Sequence, residues 1–267
     1  MLALFYQIFT FANVTFMLKG LAMSVAIAVL ATVISMFFGT ILALIRTYAN
    51  GPFQWASALV AVYTEFFRCT PNLLWILWIY FTIKGNKIAV SVFAISLFTS
   101  AVMAEIFRGG LNSIPKGQFE AAQSQGFSFL QTLWYIVLPQ TYKKVIPALL
   151  SQVITIIKDT SFLKMVDVAE FMRNCAIVMG SIYDVRGMIM LLAFEAICYF
   201  VICFTLCCQR ISENHCDRLR RADSWINISS PLRGNSEAWA VPLPMLSLRS
   251  LALNTMTGIS WMRLQSS

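Results

Sequence analysis

Five ionisable residues lie within or beside long apolar stretches of the sequence, where a charged side chain is unusual. Glu65 and Arg68 are three residues apart and can pair on one helix face. Lys158 and Asp159 are neighbours that point apart, and Glu195 stands alone in the last apolar stretch. A charge inside a bilayer costs at least about 2.5 kcal/mol and usually faces a cavity or another helix. These residues are therefore candidates either for structural contacts or for a solute pathway.

The sequence lacks the groups that would catalyse a reaction on a nucleotide. It contains no GxxxxGK(S/T) loop, whose backbone cradles phosphates, so any ATP chemistry has to occur on another subunit. The seven cysteines are odd in number and include no CxxC pair, which disfavours a disulfide framework and a metal site. The net charge of +8 is not gathered into one basic block, so no nucleic-acid partner is expected. We expect no catalytic residue, metal or cofactor in this chain.

A polar segment between residues 108 and 135 interrupts the apolar sequence. Ser113-Ile114-Pro115 is typical of a helix start. In the helix that follows, one face is polar and another is apolar. The polar face holds Glu120, Gln123 and Ser124, and the apolar face holds Phe119 and Ala122.

Gly126 then interrupts this helix, and a second amphipathic helix is expected after it. Its polar face would hold Ser128, Gln131, Thr132 and Tyr135, and its apolar face Phe127, Leu130, Leu133 and Trp134. Two interpretations of this periodicity stay open. The segment can rest against the ends of membrane spans and present its polar side to a soluble partner, or it can simply lie at the membrane surface.

The elements that must position these residues are long apolar helices. Hydrophobic residues make up 58% of the chain and charged residues 12%, and a spanning helix needs roughly 20 apolar residues. Five stretches qualify as candidate spans: 20–45, 53–83, 88–107, 136–157 and 187–208. Prolines and lysines interrupt the fourth, so a broken span and a buried helix both stay open there. We expect an all-α integral membrane protein with about five transmembrane helices.

The two ends of the chain are less regular. Residues 2–18 either extend the first span or lie flat at the interface, and the sequence predicts no removable signal peptide. With residues 108–135 inside, slightly more Lys and Arg lie inside than outside, as topology rules favour. We assign residues 1–212 to a transmembrane domain. Residues 213–267, which are rich in Ser, Asn and Pro, are assigned to a loosely ordered cytoplasmic extension.

Specific motifs add a family resemblance to this interpretation. Glu120-Ala121-Ala122, Gly126 four residues later, and Leu138-Pro139 resemble the EAA loop of permease subunits of binding-protein-dependent ABC importers. The resemblance covers residues 15–212 in four ordered segments, at 63–74, 104–122, 138–140 and 156–162. Together these segments resemble the subfamily that imports polar amino acids such as histidine, arginine, glutamine and glutamate.

The resemblance implies a type I importer permease, not an enzyme, in the cytoplasmic (inner) membrane of a bacterium. Its partners would be a dimer of ATPase subunits holding ATP and Mg²⁺, a second permease subunit, an extracytoplasmic substrate-binding protein and the lipid bilayer. The ATPase-coupling residues would be Pro115, Gly117, Glu120, Ala121, Ala122, Gly126, Leu138 and Pro139. The translocation-path candidates would be Glu65, Arg68, Lys158, Asp159 and Glu195, the last for a cationic amino acid.

The chain also departs from the family pattern. Ser124-Gln125 replaces a small apolar residue and Leu before the loop glycine, and Cys69, Asn72 and Trp75 are further departures. Two alternatives for the function stay open. The cargo can be another small polar solute, or the protein can be a secondary transporter driven by an ion gradient, which would predict internal repeats and often more spans.

Overall fold

The computed structural model describes residues 5–6, 8–49 and 51–229, with side chains as far as residue 208. Within these residues the protein is helical and has no β-strand, so the predicted all-α class is confirmed. The α-helices in chain order are α1 Phe11–Tyr48, α2 Gln54–Cys69, α3 Asn72–Thr82, α4 Lys87–Asn112, α5 Lys116–Ser124, α6 Phe129–Thr132, α7 Leu138–Asp159, α8 Phe171–Gly180 and α9 Val185–Ser229. One turn of π-helix, Leu133–Val137, joins α6 to α7, and 3₁₀ turns occupy Gly51–Phe53 and Thr160–Val166.

Four segments in the described ranges are long and apolar enough to cross a bilayer. They are Phe11–Tyr48, Lys87–Asn112, Phe129–Val166 and Val185–Cys208. The expected second span, 53–83, is not one continuous helix, because Thr70-Pro71 divides it into α2 and α3. Proline lacks an N–H group and holds the preceding residue extended, and Thr70 accordingly has φ −110° and ψ 145°. Taken together, α2 and α3 provide the remaining apolar segment of the predicted five.

Helix α1 is longer than a bilayer requires. Its 38 residues extend about 57 Å at 1.5 Å per residue, whereas the hydrocarbon core is about 30 Å thick. Because α1 begins at Phe11, residues 11–18 continue the helix of the first span. Residues 2–4 and 7 lie outside the described residues.

Helix α7 answers the question that the interrupted fourth stretch left open. Pro139 lies in its first turn, directly after the π turn Leu133–Val137, where the helical hydrogen-bond pattern changes. The helix also continues through Pro147. Lys144 Nζ donates to the Ser113 carbonyl oxygen at 2.9 Å, so its charge reaches the polar end of α4. The stretch is therefore one continuous helix within the candidate span Phe129–Val166.

Helices α1 and α4 lie side by side in the centre of the bundle and run parallel. Ser96 Oγ donates to the Ala31 carbonyl oxygen at 3.5 Å. Further along both helices, a Cβ at Gly39 would lie 2.6 Å from Met103 Cβ. Gly110 makes a similar close approach to α7. Glycines thus let neighbouring helix backbones approach closely, as is common between membrane helices.

Gly20 of α1 makes the corresponding contact with the start of α8. A Cβ there would lie 2.6 Å from Asn174 Nδ2 and 2.8 Å from the Glu170 carbonyl oxygen. We expect Gly20→Ala to lower the free energy of unfolding by about 1–3 kcal/mol, as overpacking does, measured by thermal unfolding in detergent. Gly109→Ala is the matched control, because a Cβ there meets nothing within 4 Å and alanine favours a helix. Equal destabilisation by both variants would contradict the prediction.

Helix α9 passes through the proposed domain boundary at residues 212 and 213. It extends from Val185 to Ser229, so residues 213–229 continue the last helix. The rest of the predicted extension, residues 230–267, lies outside the described residues. The division into a transmembrane domain and an extension stays a prediction.

Candidate functional site

The segment after α4 folds as two short helices joined by a glycine turn, as predicted. Helix α5 follows Pro115, whose extended backbone occupies the N-cap position. Gly126 has φ +82°, a left-handed conformation that glycine adopts without strain. The Phe127 N–H group donates to the Ala122 carbonyl oxygen at 3.1 Å, which closes the end of α5.

The two faces of α5 also agree with the prediction. Ala122 is buried, and the ring of Phe119 lies 6.3 Å from the ring of Tyr48 at the end of α1. Tyr48 also contacts Phe129 of α6, at 5.3 Å between ring centroids. On the opposite face, Glu120, Gln123 and Ser124 are exposed. Helix α5 is therefore attached to α1 by its apolar side and presents a carboxylate outward.

Three details of the predicted segment are wrong. Ser113 does not start α5 but ends α4, where its hydroxyl donates to the Gly110 carbonyl oxygen at 2.7 Å. In the second half, Thr132 is buried and not on an exposed polar face, because its hydroxyl is satisfied by the Ser128 carbonyl oxygen at 3.0 Å. Of the predicted apolar face, Leu133 is buried whereas Leu130 and Trp134 are exposed. A four-residue helix followed by a π turn does not keep the 3.6-residue period on which that prediction rested.

Most of the predicted coupling residues are exposed within one short segment. We call this segment the α5 surface; it consists of Pro115, Gly117, Glu120, Ala121 and Gly126. Ala122 and Leu138 are instead buried, and Pro139 is exposed beside α1. The Gln140 side chain donates to that of Gln118 at 3.2 Å, which links α7 to α5. The α5 surface is thus supported by α1 on one side and by α7 on another.

A charge network connects α1, α2 and α4 near the same end of the bundle. Arg46 forms ion pairs with Glu105 and, at 3.8 Å, with Glu65. Arg108 pairs with Glu105 at 2.8 Å, and Arg68 pairs with Glu65 at 3.6 Å. The predicted Glu65–Arg68 ion pair is therefore present, but it is the outer part of a five-residue network.

Arg46 is the member of this network that sequence reasoning missed. It closes the first apolar stretch and was interpreted there only as a topology signal. In the structure its guanidinium also donates to Thr64 Oγ1 at 2.8 Å. A lone arginine at the end of an apolar run carries no sequence signal of its partners, which lie 18 to 59 positions away.

Lys158 and Asp159 lie in different environments, as expected for neighbouring residues whose side chains point apart. They end α7, directly before the 3₁₀ turn Thr160–Val166. Asp159 is half-buried and accepts a hydrogen bond from Asn72 Nδ2 at 3.2 Å, whereas Lys158 is exposed. Asn72, a departure from the family pattern, thus joins the start of α3 to the end of α7.

Glu195 and Glu170 lie inside the protein at the junction of α1, α8 and α9. Glu195 is 5% exposed. Glu170, which sequence reasoning did not place in the site, is fully buried and caps α8 through the N–H groups of Met172 and Arg173. Ser24 Oγ of α1 also donates to the Glu170 carboxylate at 3.5 Å, so this carboxylate joins the start of α8 to α1.

The opposite end of the bundle carries a smaller charged cluster. Asp167 has φ +54° and accepts hydrogen bonds from Arg173 Nε at 2.8 Å and from Lys87 Nζ at 3.2 Å. The bond from Arg173, followed by the bond from Lys87, makes the largest contribution to lowering the pKa of the Asp167 carboxyl below its ordinary value. The cluster joins the start of α4 to the segment between α7 and α8.

The fold and this site define a class of protein: a multi-span helical membrane protein with an exposed amphipathic helix, α5, at one end. A family model described as the inner membrane component of binding-protein-dependent transport systems matches residues 35–208. The chain belongs to this family, which also establishes its location in the inner membrane, as predicted.

Individual relatives agree with this assignment. The chain is 35% identical over 199 residues to the probable glutamine ABC transporter permease protein GlnP of Bacillus subtilis, across 73% of this chain and 90% of GlnP. It is 31% identical over 204 residues to the glutamate/aspartate import permease protein GltK of Escherichia coli O157:H7, across 71% of this chain and 88% of GltK. A crystal structure of an amino acid ABC transporter with histidines matches with a TM-score of 0.64 and 26% identity, across 76% and 94% of the two chains.

Proposed function

We propose that this permease subunit carries a polar amino acid across the membrane and is driven by a separate ATPase that docks on the α5 surface. The observation that carries the proposal is the exposed Glu120 on a helix whose other face is fixed to α1. GlnP is named for glutamine and GltK for glutamate and aspartate, and the solved neighbour is an amino acid transporter. These names support a polar amino acid as the cargo.

The contacts of α5 suit it to transmit movement. A force on the α5 surface reaches α1 through the Phe119–Tyr48 contact and α7 through Gln118 and Gln140. Helices α1, α4 and α7 are in turn closely packed around glycines. Closure of the ATPase dimer on ATP and Mg²⁺ would therefore move these helices together and alternate access to the cargo.

Three of the five pathway candidates have side chains that are exposed enough to contact a solute. Glu65 and Arg68 are about half exposed, and Lys158 is exposed. A zwitterionic amino acid has both charges and can pair with groups of either sign. Asp159 is hydrogen-bonded to Asn72 and Glu195 is buried, so these two are more weakly supported as contacts of the cargo.

Uncovered surfaces of the described residues indicate where the remaining partners would bind. Only 11% of the apolar stretch in Val185–Cys208 is buried within the chain, which leaves most of α9 for lipid or for a second permease subunit. An extracytoplasmic binding protein would approach the end that carries the Lys87–Asp167–Arg173 cluster. The α5 surface lies at the other end, on the cytoplasmic side.

The proposal is tested by uptake into proteoliposomes that contain the permease with its cognate ATPase and binding protein. We expect labelled glutamine, glutamate or arginine to enter only when ATP is present. An ATPase subunit with its phosphate-binding lysine replaced is the control and should give no uptake. Uptake driven by an ion gradient without ATP would refute the proposal and favour a secondary transporter.

A further inference from the structure

An apolar groove of about 450 Å³ opens on the outer surface between α1 and the start of α7. Its walls are formed by Phe37, Ile41, Leu44, Trp134, Leu138 and Pro139. The polar groups at its floor are already satisfied, because the hydroxyls of Thr40 and Tyr142 are hydrogen-bonded to each other at 2.7 Å. The groove therefore suits a hydrocarbon chain and offers little to a polar solute.

With the α5 surface on the cytoplasmic side, as the proposed function requires, the groove lies at the cytoplasmic boundary of the membrane. Leu44 is one turn before Tyr48, which contacts α5. Phe37 lies seven residues before Leu44, about 10 Å deeper along the helix at 1.5 Å per residue. The groove thus begins beside the α5 surface and runs into the hydrocarbon region.

The wall formed by the π turn carries aromatic residues of the kind that mark a membrane interface. Trp134 is 65% exposed and Tyr135 is 74% exposed. Tryptophan and tyrosine are enriched at the level of lipid headgroups, because their rings are apolar and their N–H and O–H groups are polar. π turns are frequent at functional sites, and this one holds Trp134 against the groove.

A cation lies on the same helix face as the groove. Lys143 follows Pro139 by one helical turn, about 6 Å further along α7, and is exposed, so its long side chain can extend back to the headgroup level. It forms no ion pair with any residue the structure describes. Its neighbour Lys144 is by contrast bonded to the Ser113 carbonyl oxygen. Anionic lipids of the cytoplasmic leaflet attract lysines near the membrane surface.

We propose that this groove binds an anionic phospholipid, with one acyl chain between α1 and α7 and the phosphate paired with Lys143. Charge favours a lipid over a second copy of this chain, because a copy that met the groove with the same face would bring a second Lys143. A lipid bound here would contact α1 and α7, the two helices that hold α5. None of the residues of the α5 surface lines the groove.

Trp134 provides the probe for this site. The permease–ATPase complex would be reconstituted with increasing fractions of dibrominated phosphatidylglycerol or dibrominated phosphatidylcholine, whose bromines quench nearby tryptophans. The difference between the parent and Trp134→Phe isolates the Trp134 signal among the seven tryptophans of the chain. We expect phosphatidylglycerol to quench that signal at about fivefold lower lipid fraction, as expected for one lysine near an anionic surface.

Two lysine variants complete the test. Lys143→Gln should abolish the preference and Lys143→Arg should keep it. Lys84→Gln, an exposed lysine at the opposite end of the bundle, should keep it as well. Equal quenching by the two lipids in the parent would mean ordinary lipid contact and overturn the proposal. Absence of quenching by either lipid would mean that protein covers the groove, and it would also overturn the proposal.

Discussion

Replacing Glu120 with lysine is expected to reduce ATP-dependent uptake at least about tenfold, within the range of about 5–150-fold that coupling between sites produces. Within the described residues the Glu120 carboxylate has no hydrogen bond or ion pair, and only its backbone carbonyl accepts a bond, from Ser124 Oγ at 2.9 Å. The fold therefore does not depend on the carboxylate. A docked ATPase would meet a charge of reversed sign, so the loss should appear in the initial rate of uptake while the amount of folded permease stays unchanged.

The matched control is Gln123→Lys. Gln123 is exposed on the same face of α5, one turn from Glu120, so this variant adds a positive charge without removing the carboxylate. We expect it to keep most of the uptake. An equal loss in both variants would assign the effect to added charge, and full uptake by Glu120→Lys would remove Glu120 from the docking residues.

Co-purification separates the two ways in which coupling can fail. If Glu120 contributes to docking, Glu120→Lys should recover less ATPase subunit with the permease than the parent does. Glu120→Gln keeps the size and the hydrogen-bonding oxygen but not the charge, so we expect an intermediate result. A normal yield of ATPase with no uptake would mean that Glu120 transmits movement but does not hold the partner.

The faces of α5 could be predicted from the sequence because they depend on local geometry alone. Residues three and four apart share a helix face, so Phe119 and Ala122 had to point away from Glu120. Gly126 was predictable for a similar reason, since a left-handed turn favours glycine. The five apolar stretches could be recognised for the same reason, because the length and hydrophobicity of each stretch depend only on its own residues.

The features that could not be predicted depend on which helices become neighbours. The division of the second stretch into α2 and α3 could have been inferred from Pro71, but the stretch was interpreted from its length and overall hydrophobicity. Arg46 meets Glu65 and Glu105 only because α1 packs beside α2 and α4. The π turn before α7 exposes Trp134 and buries Leu133, and neither outcome follows from a regular helical period.

The network around Arg46 leads to the second large effect, on stability. Glu105→Ala should lower the free energy of unfolding by about 3 kcal/mol, the lower end of the range for removing one partner of a buried pair. The Glu105 side chain is only 15% exposed and neutralises both Arg46 and Arg108. Its removal leaves two guanidinium groups close together, and Arg46, with a side chain 19% exposed, has little access to water. The measurement is the unfolding transition of the purified permease in detergent.

Glu65→Ala is the matched control, since it removes a carboxylate from the same network at a side chain that is 54% exposed. Exposed ion pairs contribute about 0–1 kcal/mol, so this variant should unfold close to the parent. Glu105→Gln keeps a hydrogen-bond acceptor for Arg46 without the charge and should lie between the two. If Glu65→Ala and Glu105→Ala shift the transition equally, burial of Glu105 is not the source of its contribution, and the network is a surface feature. A large shift confined to Glu105 would instead identify it as the contact that holds α1 and α4 together beside the α5 surface, so that its loss should also weaken ATP-dependent uptake.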